Sequence, residues 1–398
     1  MDRRVKYAIG LVLVFVAVGC AFTAGLIFAH VTRGSVPSVE AVTGEGPPSP
    51  GDLVDEARRA IRGEALDPAD DASMTVGAMR GLLDGLGDPY ALYFDKRHFQ
   101  YFSEESEGRF GGIGVTLGAR DGEVYIVTVM PDTPAERAGI AKDDEFVSVD
   151  GVTRAKWDTE EVVKRVRGQQ GTTVTIELAR KGAKKPLRFV MKRAVITFPN
   201  VDSRMIGRDV GYISMAQFNA RSADEIAKAL GDLKEKGAKG YILDLRNDPG
   251  GMLDAAVQVS SLFVKDGVIV RVEYRSRSAD EYRALSDRHV TDAPLVLLVN
   301  ENSASASEIV AGALQDYRRA RLVGVKTFGK GSVQTVEPLS DGTAIKFTIA
   351  HYLTPKRRVI DKKGVAPDVI VQMKPELIAE EKTDTQLKKA LAVLREEF

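Results

Sequence analysis

Hydrophobic positions in the C-terminal half of the chain alternate between short unbroken apolar runs and stretches in which apolar residues return every three or four positions. Runs of the first kind, Val210 to Phe218, Tyr241 to Leu245, Asp266 to Arg277 and Pro294 to Val299, predict strands. Between them, Ser222 to Lys236 predicts a helix with Ile226, Leu230 and Leu233 on one face, Ser222 and Glu225 as a capping box and Gly237 as a stop. A second helix is predicted from Glu308, continuing over Val310 to Tyr317. From Arg321 the pattern is mostly strand, through Val336 and Ile345 to Ala350, as far as the turn Tyr352-Leu353-Thr354-Pro355. Repeated β-α units returning to one sheet predict an α/β core, assigned to residues 194–375.

The N-terminal half reads differently. Residues 109–193 carry five or six short strand-like runs and two helical ones, Thr133 to Ile140 and Asp158 to Val166, the size of a small independent domain. Ahead of it, residues 52–108 predict two helical pieces, one with Leu53, Ala57, Ala60 and Ile61 at helical spacing and one from Ser73 to Leu86, ended by Gly87-Asp88-Pro89. These two pieces read as packing elements, or as a dimerisation or lid element. Pro37, Pro47, Pro48 and Pro50 among glycines and serines make residues 34–51 a linker. At the other end, residues 376–398 place Leu387, Leu391 and Leu394 at helical spacing, which predicts a surface helix and a contact for a homo-oligomer.

Residues 1–33 add a membrane to the picture. Tyr7 to Val31 contains no charged residue and is long enough, at ~1.5 Å per residue, to span a ~30 Å hydrocarbon core as a transmembrane helix. Arg3, Arg4 and Lys6 before it place the N-terminus inside, so the rest of the chain is expected outside the cytoplasmic membrane, in the periplasm of a Gram-negative cell. Val18-Gly19-Cys20 offers a competing reading as a lipoprotein site, but apolar residues continue past Cys20 and favour an uncleaved anchor.

The chain has 398 residues, which suits two or three domains. Lys plus Arg and Asp plus Glu are both 56, and this balance argues against nucleic acid as a main partner. Cys20 is the single cysteine, so no disulfide framework or multi-cysteine metal site is available. No cofactor and no metal are expected.

Candidate chemistry lies where the strand ending at Val299 meets the helix. Asn300 to Ser307 is a run of small polar residues at a strand-to-helix turn, and Ser305 is a candidate nucleophile beside the free N–H groups of a helix N-terminus. Ser305-Ala306-Ser307-Glu308 also has the form of a capping box, a purely structural role. Downstream, Thr327-Phe328-Gly329-Lys330-Gly331-Ser332-Val333-Gln334 sets a lysine between two glycines, 330 − 305 = 25 residues past the serine. A lysine serves as base for a serine hydroxyl only if burial lowers its pKa towards neutrality. These paired segments resemble those of the carboxyl-terminal processing (tail-specific) proteases, and the resemblance runs from about Asp88 to about Val371. It implies Ser305 as nucleophile, Lys330 as general base and Gln334 as the assisting residue. Asp244-Leu245-Arg246-Asn247-Asp248-Pro249-Gly250-Gly251 resembles the family's active-site segment, which implies an oxyanion hole from Gly251 and Ala306.

Residues 109–193 resemble a PDZ domain, opened by Phe110, Gly111, Gly112, Ile113 and Gly114. In such a domain a glycine-rich loop turns backbone N–H groups onto a peptide carboxylate while the peptide adds as a strand to the sheet edge. Arg167, just after the second helix, is a candidate charged link between this domain and the active site, or else a solvated surface charge. The resemblance implies an α/β crotonase-like protease core with an inserted PDZ domain, acting on protein substrates through their C-terminal tails. Two other classes compete. A Ser-His-Asp hydrolase needs His289 or His351 near Ser305, and an inactive membrane-tethered PDZ scaffold would be free to lose Ser305, Lys330 and Gln334, all of which are present.

Overall fold

A computed structural model of the chain describes residues 49–67, 70–120, 122–154, 156–198, 200–374, 378 and 382–398. The anchor expected over Tyr7 to Val31, and Cys20 within it, lie outside the described residues; among those described, no helix is long and apolar enough to cross a membrane. The chain divides into two compact units, Met1–Thr75 and Val76–Phe398.

Helix α1 (Pro50–Glu64) starts inside the stretch read as linker, because Ser49 and Asp52 form a capping box around Pro50. It buries none of its residues, so Leu53, Val54 and Ile61 remain exposed. Next come α2 (Asp71–Asp84), β1 (Leu92–Phe94) and α3 (Lys96–Glu107), the last capped by Asp95 and ended by Gly108 in the left-handed conformation.

The inserted domain follows, with β2 (Arg109–Gly112), β3 (Val115–Arg120), β4 (Glu123–Val129), α4 (Pro134–Ala138), β5 (Glu145–Val149), β6 (Val152–Thr153), α5 (Thr159–Val166), β7 (Thr173–Ala179) and β8 (Leu187–Lys192). Its sheet has the order β3-β4-β5-β7-β8, which leaves β3 as an edge. Val124, Ile126, Val149, Val174, Ile176 and Leu178 are fully buried in its own core. Strand β2 stands apart from this sheet. It pairs antiparallel with β9 (Ala194–Thr197), Arg109 opposite Thr197 and Gly112 opposite Ala194, so the boundary drawn at Arg193 falls between two paired strands.

The larger core contains β10 (Val201–Ile206), β11 (Val210–Met215), α6 (Ser222–Glu235), β12 (Gly240–Asp244), α7 (Leu253–Ser261), β13 (Val268–Tyr274), β14 (Asp280–Arg283), β15 (Leu295–Val299), α8 (Ala306–Asp316), β16 (Arg321–Gly324), β17 (Ser332–Pro338), β18 (Ala344–Leu353), β19 (Val369–Ile370) and α9 (Thr385–Arg395). One sheet runs β10-β11-β12-β15-β16-β19, parallel from β11 onward. Sequential order with right-handed crossovers sends the crossover helices to one face. There Ile213, Leu243, Leu297 and Leu322 pack with α6, α7 and α8 and with Val270, Val272 and Ala350 of a second sheet, β1-β18-β13-β14, to which β17 is added.

The opposite face of the parallel sheet needs its own cover. Val210, Ile242, Val296, Leu298 and Val323 meet Leu387, Ala390, Val393 and Leu394 of α9. The tail helix expected as a surface contact for a homo-oligomer thus spends its apolar face inside the chain. A smaller correction concerns α6. Its N-cap is Arg221, and the Ser222 hydroxyl accepts from the Asn219 N–H (2.9 Å) and the Asn200 amide (3.1 Å) instead of forming a capping box with Glu225.

Candidate active site

All five residues of β15 are buried, and the chain leaves the carboxyl end of this strand through Asn300 to Ala304. Ser305 then takes φ 53° and ψ −113°, a conformation an L-residue adopts only when its surroundings hold it there. The holding group is Glu308, wholly buried in the first turn of α8. Its Oε2 accepts the N–H of Ser305 at 2.9 Å and that of Lys330 at 2.8 Å, while Oε1 accepts the N–H of Gly329 at 2.7 Å and the Thr327 hydroxyl. One carboxylate therefore fixes the backbone of both Ser305 and Lys330. Burial pushes the Glu308 carboxyl above its ordinary value, against these hydrogen bonds. The sequence showed Glu308 only as a helix-capping residue.

Ser305, Lys330, Gln334, Gly250 and Gly251 line one cavity of about 550 Å³, together with Phe102, Glu105, Ser106, Lys346 and Tyr352. Lys330 Nζ sits 4.7 Å from the centre of the Tyr90 ring. Burial and then the positive charge of Lys346 pull Lys330 below the usual lysine range, with Glu308 opposing. Gln334 donates its amide nitrogen to Ser332 Oγ (2.8 Å) and Thr348 Oγ1 (3.2 Å), and no hydrogen bond joins it to Lys330. Burial raises the Tyr352 phenol, and the hydrogen bond between its hydroxyl and Ser305 acts the other way.

Two glycines let the neighbouring strand end close on the serine turn. Gly250 has φ 96°, and a Cβ there would lie 2.6 Å from Ala304 O and 2.8 Å from both Ala306 N and Ser305 Cβ. At Gly251, φ 148°, a Cβ would lie 2.0 Å from Phe218 O. Among the described residues, neither the N–H of Gly251 nor that of Ala306 donates a hydrogen bond; Gly251 lines the cavity, whereas Ala306 is fully buried behind Ser305.

Asp248 supports this turn from below. It is fully buried; Oδ1 accepts the Gly250 N–H at 2.8 Å, its carbonyl accepts Ala304 N–H and Ser307 Oγ, and Oδ2 has no partner. Burial raises its carboxyl from 3.8 to about 7. The folded state therefore holds a proton here over a window in which the unfolded chain has lost it, and stability from this group falls as pH rises from about 4 to 7. Asp248→Asn removes that slope. The difference in stability between variant and wild type is expected to change by on the order of 2–4 kcal/mol across the window, read from urea unfolding at several pH values. An unchanged difference would show that the carboxyl titrates normally.

Asp244 does not face the cavity. It is buried in an ion pair with Arg246, and among the described residues no His, Cys, Asp or Glu cluster is arranged to hold a metal ion. His289 lies beside Asp292 at 3.2 Å and His351 is exposed on β18; neither lines the cavity of Ser305.

In the inserted domain a groove of about 480 Å³ runs between edge strand β3 and α5, lined by Phe110, Gly112, Ile113, Gly114, Val115, Leu117, Val163, Val166 and Phe198. Phe110 to Gly112 are strand rather than loop, and Gly111 packs against Gly168 instead of the groove, since a Cβ there would lie 2.1 Å from Gly168 O. Arg167 is no solvated charge. Its guanidinium lies over the rings of Tyr101 (4.8 Å), Phe110 (4.4 Å) and Phe198 (6.0 Å) and pairs with Glu104 at 3.2 Å. Glu104 belongs to α3, whose Phe102, Glu105 and Ser106 line the Ser305 cavity, so one helix borders both sites.

A cavity of this make-up can carry out acyl transfer, and the fold around it is that of a PDZ-bearing serine peptidase. Residues 209–371 match peptidase family S41, and residues 125–180 match a PDZ domain. Over 376 residues the chain is 36% identical to the carboxy-terminal processing protease CtpA of Bacillus subtilis, covering 94% of this chain and 78% of that protein. Over 304 residues it is 38% identical to the carboxyl-terminal-processing protease of a Synechocystis species, covering 75% and 71%. An S41 protease structure from Bacteroides fragilis, 18% identical, shares the fold with a TM-score of 0.51 over 88% of this chain and 98% of that one. The chain belongs to the carboxy-terminal processing proteases, serine peptidases of family S41.

Proposed function

We propose that this protein is an endopeptidase with a Ser-Lys dyad that cleaves proteins near their C-termini, the substrate tail being taken up by the PDZ groove. The observation that carries the reading is the shared Glu308 clamp, which fixes Ser305 and Lys330 at one cavity whose wall includes the unbonded Gly251 N–H. Ser305 Oγ attacks the scissile carbonyl as its proton passes to neutral Lys330 Nζ, and the oxyanion is held by the N–H groups of Gly251 and Ala306. The lysine, now charged, protonates the departing amine. Neutral again, it takes a proton from the water that attacks the acyl group and returns it to Ser305 Oγ as the acyl–oxygen bond breaks. Gln334, its amide nitrogen engaged by Ser332 and Thr348, is left its carbonyl oxygen to take up the Lys330 ammonium once that lysine is protonated. Reaction with a fluorophosphonate probe and mass mapping of the adduct tests the assignment: an adduct on Ser305 is expected, whereas one on another serine, or hydrolysis by a protein that lacks the Ser305 hydroxyl, rejects it.

The sequence also supports a location: Tyr7 to Val31 anchors the chain in the cytoplasmic membrane with the catalytic part on the outer side. An intact mass that begins near Met1 is expected, and one that begins at an acylated Cys20 refutes an uncleaved anchor.

Tail recognition rests on the free edge of β3 and the apolar groove beside it. A bound carboxylate draws on charge-assisted hydrogen bonds, so amidating a peptide's C-terminus should weaken binding by ~1.5–3 kcal/mol, roughly tenfold to a hundredfold. Fluorescence anisotropy on the full chain measures this, and equal affinity of acid and amide would rule out tail recognition. Arg167→Ala is expected to lower turnover, because its link to Glu104 on α3 is lost; unchanged turnover would confine the groove to tethering substrate.

A further inference from the structure

The Ser305 cavity holds a second lysine that the chemistry above leaves unused. Lys346 stands on β18 opposite Val336 of β17 and Leu92 of β1, and lines the cavity with Lys330, Gln334 and Tyr352. Side chains alternate along a strand, so Lys346 shares its face with Thr348, which holds Gln334; beyond a register shift between Thr348 and Ala350, Tyr352 reaches the same cavity. Two lysines brought half-buried into one cavity disfavour being charged together, and their surroundings decide which one gives up its proton.

The carboxylates beside the two lysines differ. Burial pulls Lys346 below the usual lysine range as well, and the charge that opposes this is Asp88, which accepts the N–H groups of Tyr90 (2.9 Å) and Thr348 (2.7 Å). Burial alone would raise the Asp88 carboxyl, but these donors outweigh it and hold the group below its ordinary value, a fixed anion. Near Lys330 is Glu308, which burial pushes the other way and whose two oxygens already receive four donors. The remaining neighbours are Glu105 on the cavity wall, the Tyr90 ring under Lys330, the Phe94 ring 5.6 Å from Lys346 Nζ, and the Tyr352 phenol, kept neutral by burial. Glu308 thus spends both oxygens on its four donors, while Asp88, with two, keeps acceptor capacity on the Lys346 side.

We propose that Lys346 is the fixed cation of this active site, held charged by Asp88 so that Lys330 remains the neutral partner of Ser305. The inference rests on the Ser-Lys reading given above, and Lys346 acts through Lys330 as a positioning residue. In that arrangement a like charge keeps the base unprotonated at neutral pH without contact with substrate.

Hydrolysis of fluorescein-labelled casein by the full-length protein, followed from acid to alkaline pH, tests it. Wild-type kcat/KM rises along an acidic limb as Lys330 loses its proton. Lys346→Met moves this limb to higher pH, so activity falls roughly tenfold at neutral pH and recovers in alkali. Lys346→Arg keeps the charge and leaves the limb in place. A loss equal at every pH, or a limb that stays put in Lys346→Met, overturns the proposal. Lys330→Ala separates the two claims: a variant that retains the wild-type limb sinks the dyad and this inference together, whereas an inactive Lys330→Ala beside an unmoved Lys346→Met limb sinks the inference alone. Lys346→Gln carries the same comparison should the Met variant fail to fold by circular dichroism.

Discussion

Alanine at Ser305 or at Lys330 abolishes peptide cleavage, each by roughly 10⁴-fold or more, while the thermal unfolding transition stays close to that of the wild type. The two act as one unit, so the double variant loses little beyond either single one. Neither side chain carries the local architecture: the clamp from Glu308 reaches their backbone N–H groups, which alanine retains. A quenched peptide assay and a melting curve on the same preparations read both quantities. Substantial cleavage by either variant would end the dyad, and loss of activity in His289→Ala or His351→Ala would put a histidine in its place. The pH dependence has a definite sign. Lys330 is pulled below the usual lysine range by burial and then by Lys346, and in the proposed dyad its neutral form is the reactive one, so activity is expected to rise as pH increases through that depressed value.

The largest effect on stability is expected at Arg246. Its guanidinium lies between Asp244, at the end of β12, and Asp384, the N-cap of α9, bonding Asp384 at 3.0 and 2.8 Å and Gln386 at 3.2 Å. The Tyr212 hydroxyl donates to Asp244 at 2.7 Å, and all of these groups are buried. Arg246→Ala leaves two carboxylates buried without their cation, a loss of about 3–5 kcal/mol. By contrast Arg321→Ala breaks only an exposed pair with Glu396 at 3.5 Å and shifts stability by less than about 1 kcal/mol. Urea midpoints of the two variants make the comparison. A small effect at Arg246 would mean that water or a shifted side chain reaches the site.

What the sequence disclosed of this site follows from the range of the interactions. The turn at Ser305 was legible because its signal is local, an apolar run followed at once by small polar residues and a helical period. The Glu308 clamp was not. Its partners Thr327, Gly329 and Lys330 lie 19 to 22 residues downstream, and hydrogen bonds at that separation leave no periodic trace. Lys346 reads as an ordinary polar position on an alternating strand, and only the pairing of β18 with β1 and β17 brings it to the cavity. The Arg246–Asp384 contact spans 138 residues and was equally hidden. For α9 the leucine spacing gave the helix correctly, but an apolar stripe does not say what covers it. Here the covering surface was the back of the parallel sheet.

The ribbon of β2 and β9 has a meaning for how such proteins diversify. The inserted domain leaves and rejoins the chain at Gly112 and Ala194, which face each other across an antiparallel pair whose Cα atoms lie roughly 5 Å apart. An insertion whose two ends nearly touch makes no demand on the length or topology of what lies between them. The recognition module is in effect a cassette: its groove can drift, or be replaced by recombination, while the strand ends that carry the serine and the lysine keep their register. Selection on what the groove binds and selection on how peptide bonds are broken therefore act on largely separable stretches of one gene, with α3, its Glu104–Arg167 contact, and Phe110 and Phe198 at the groove edge as the seam where the two must stay compatible.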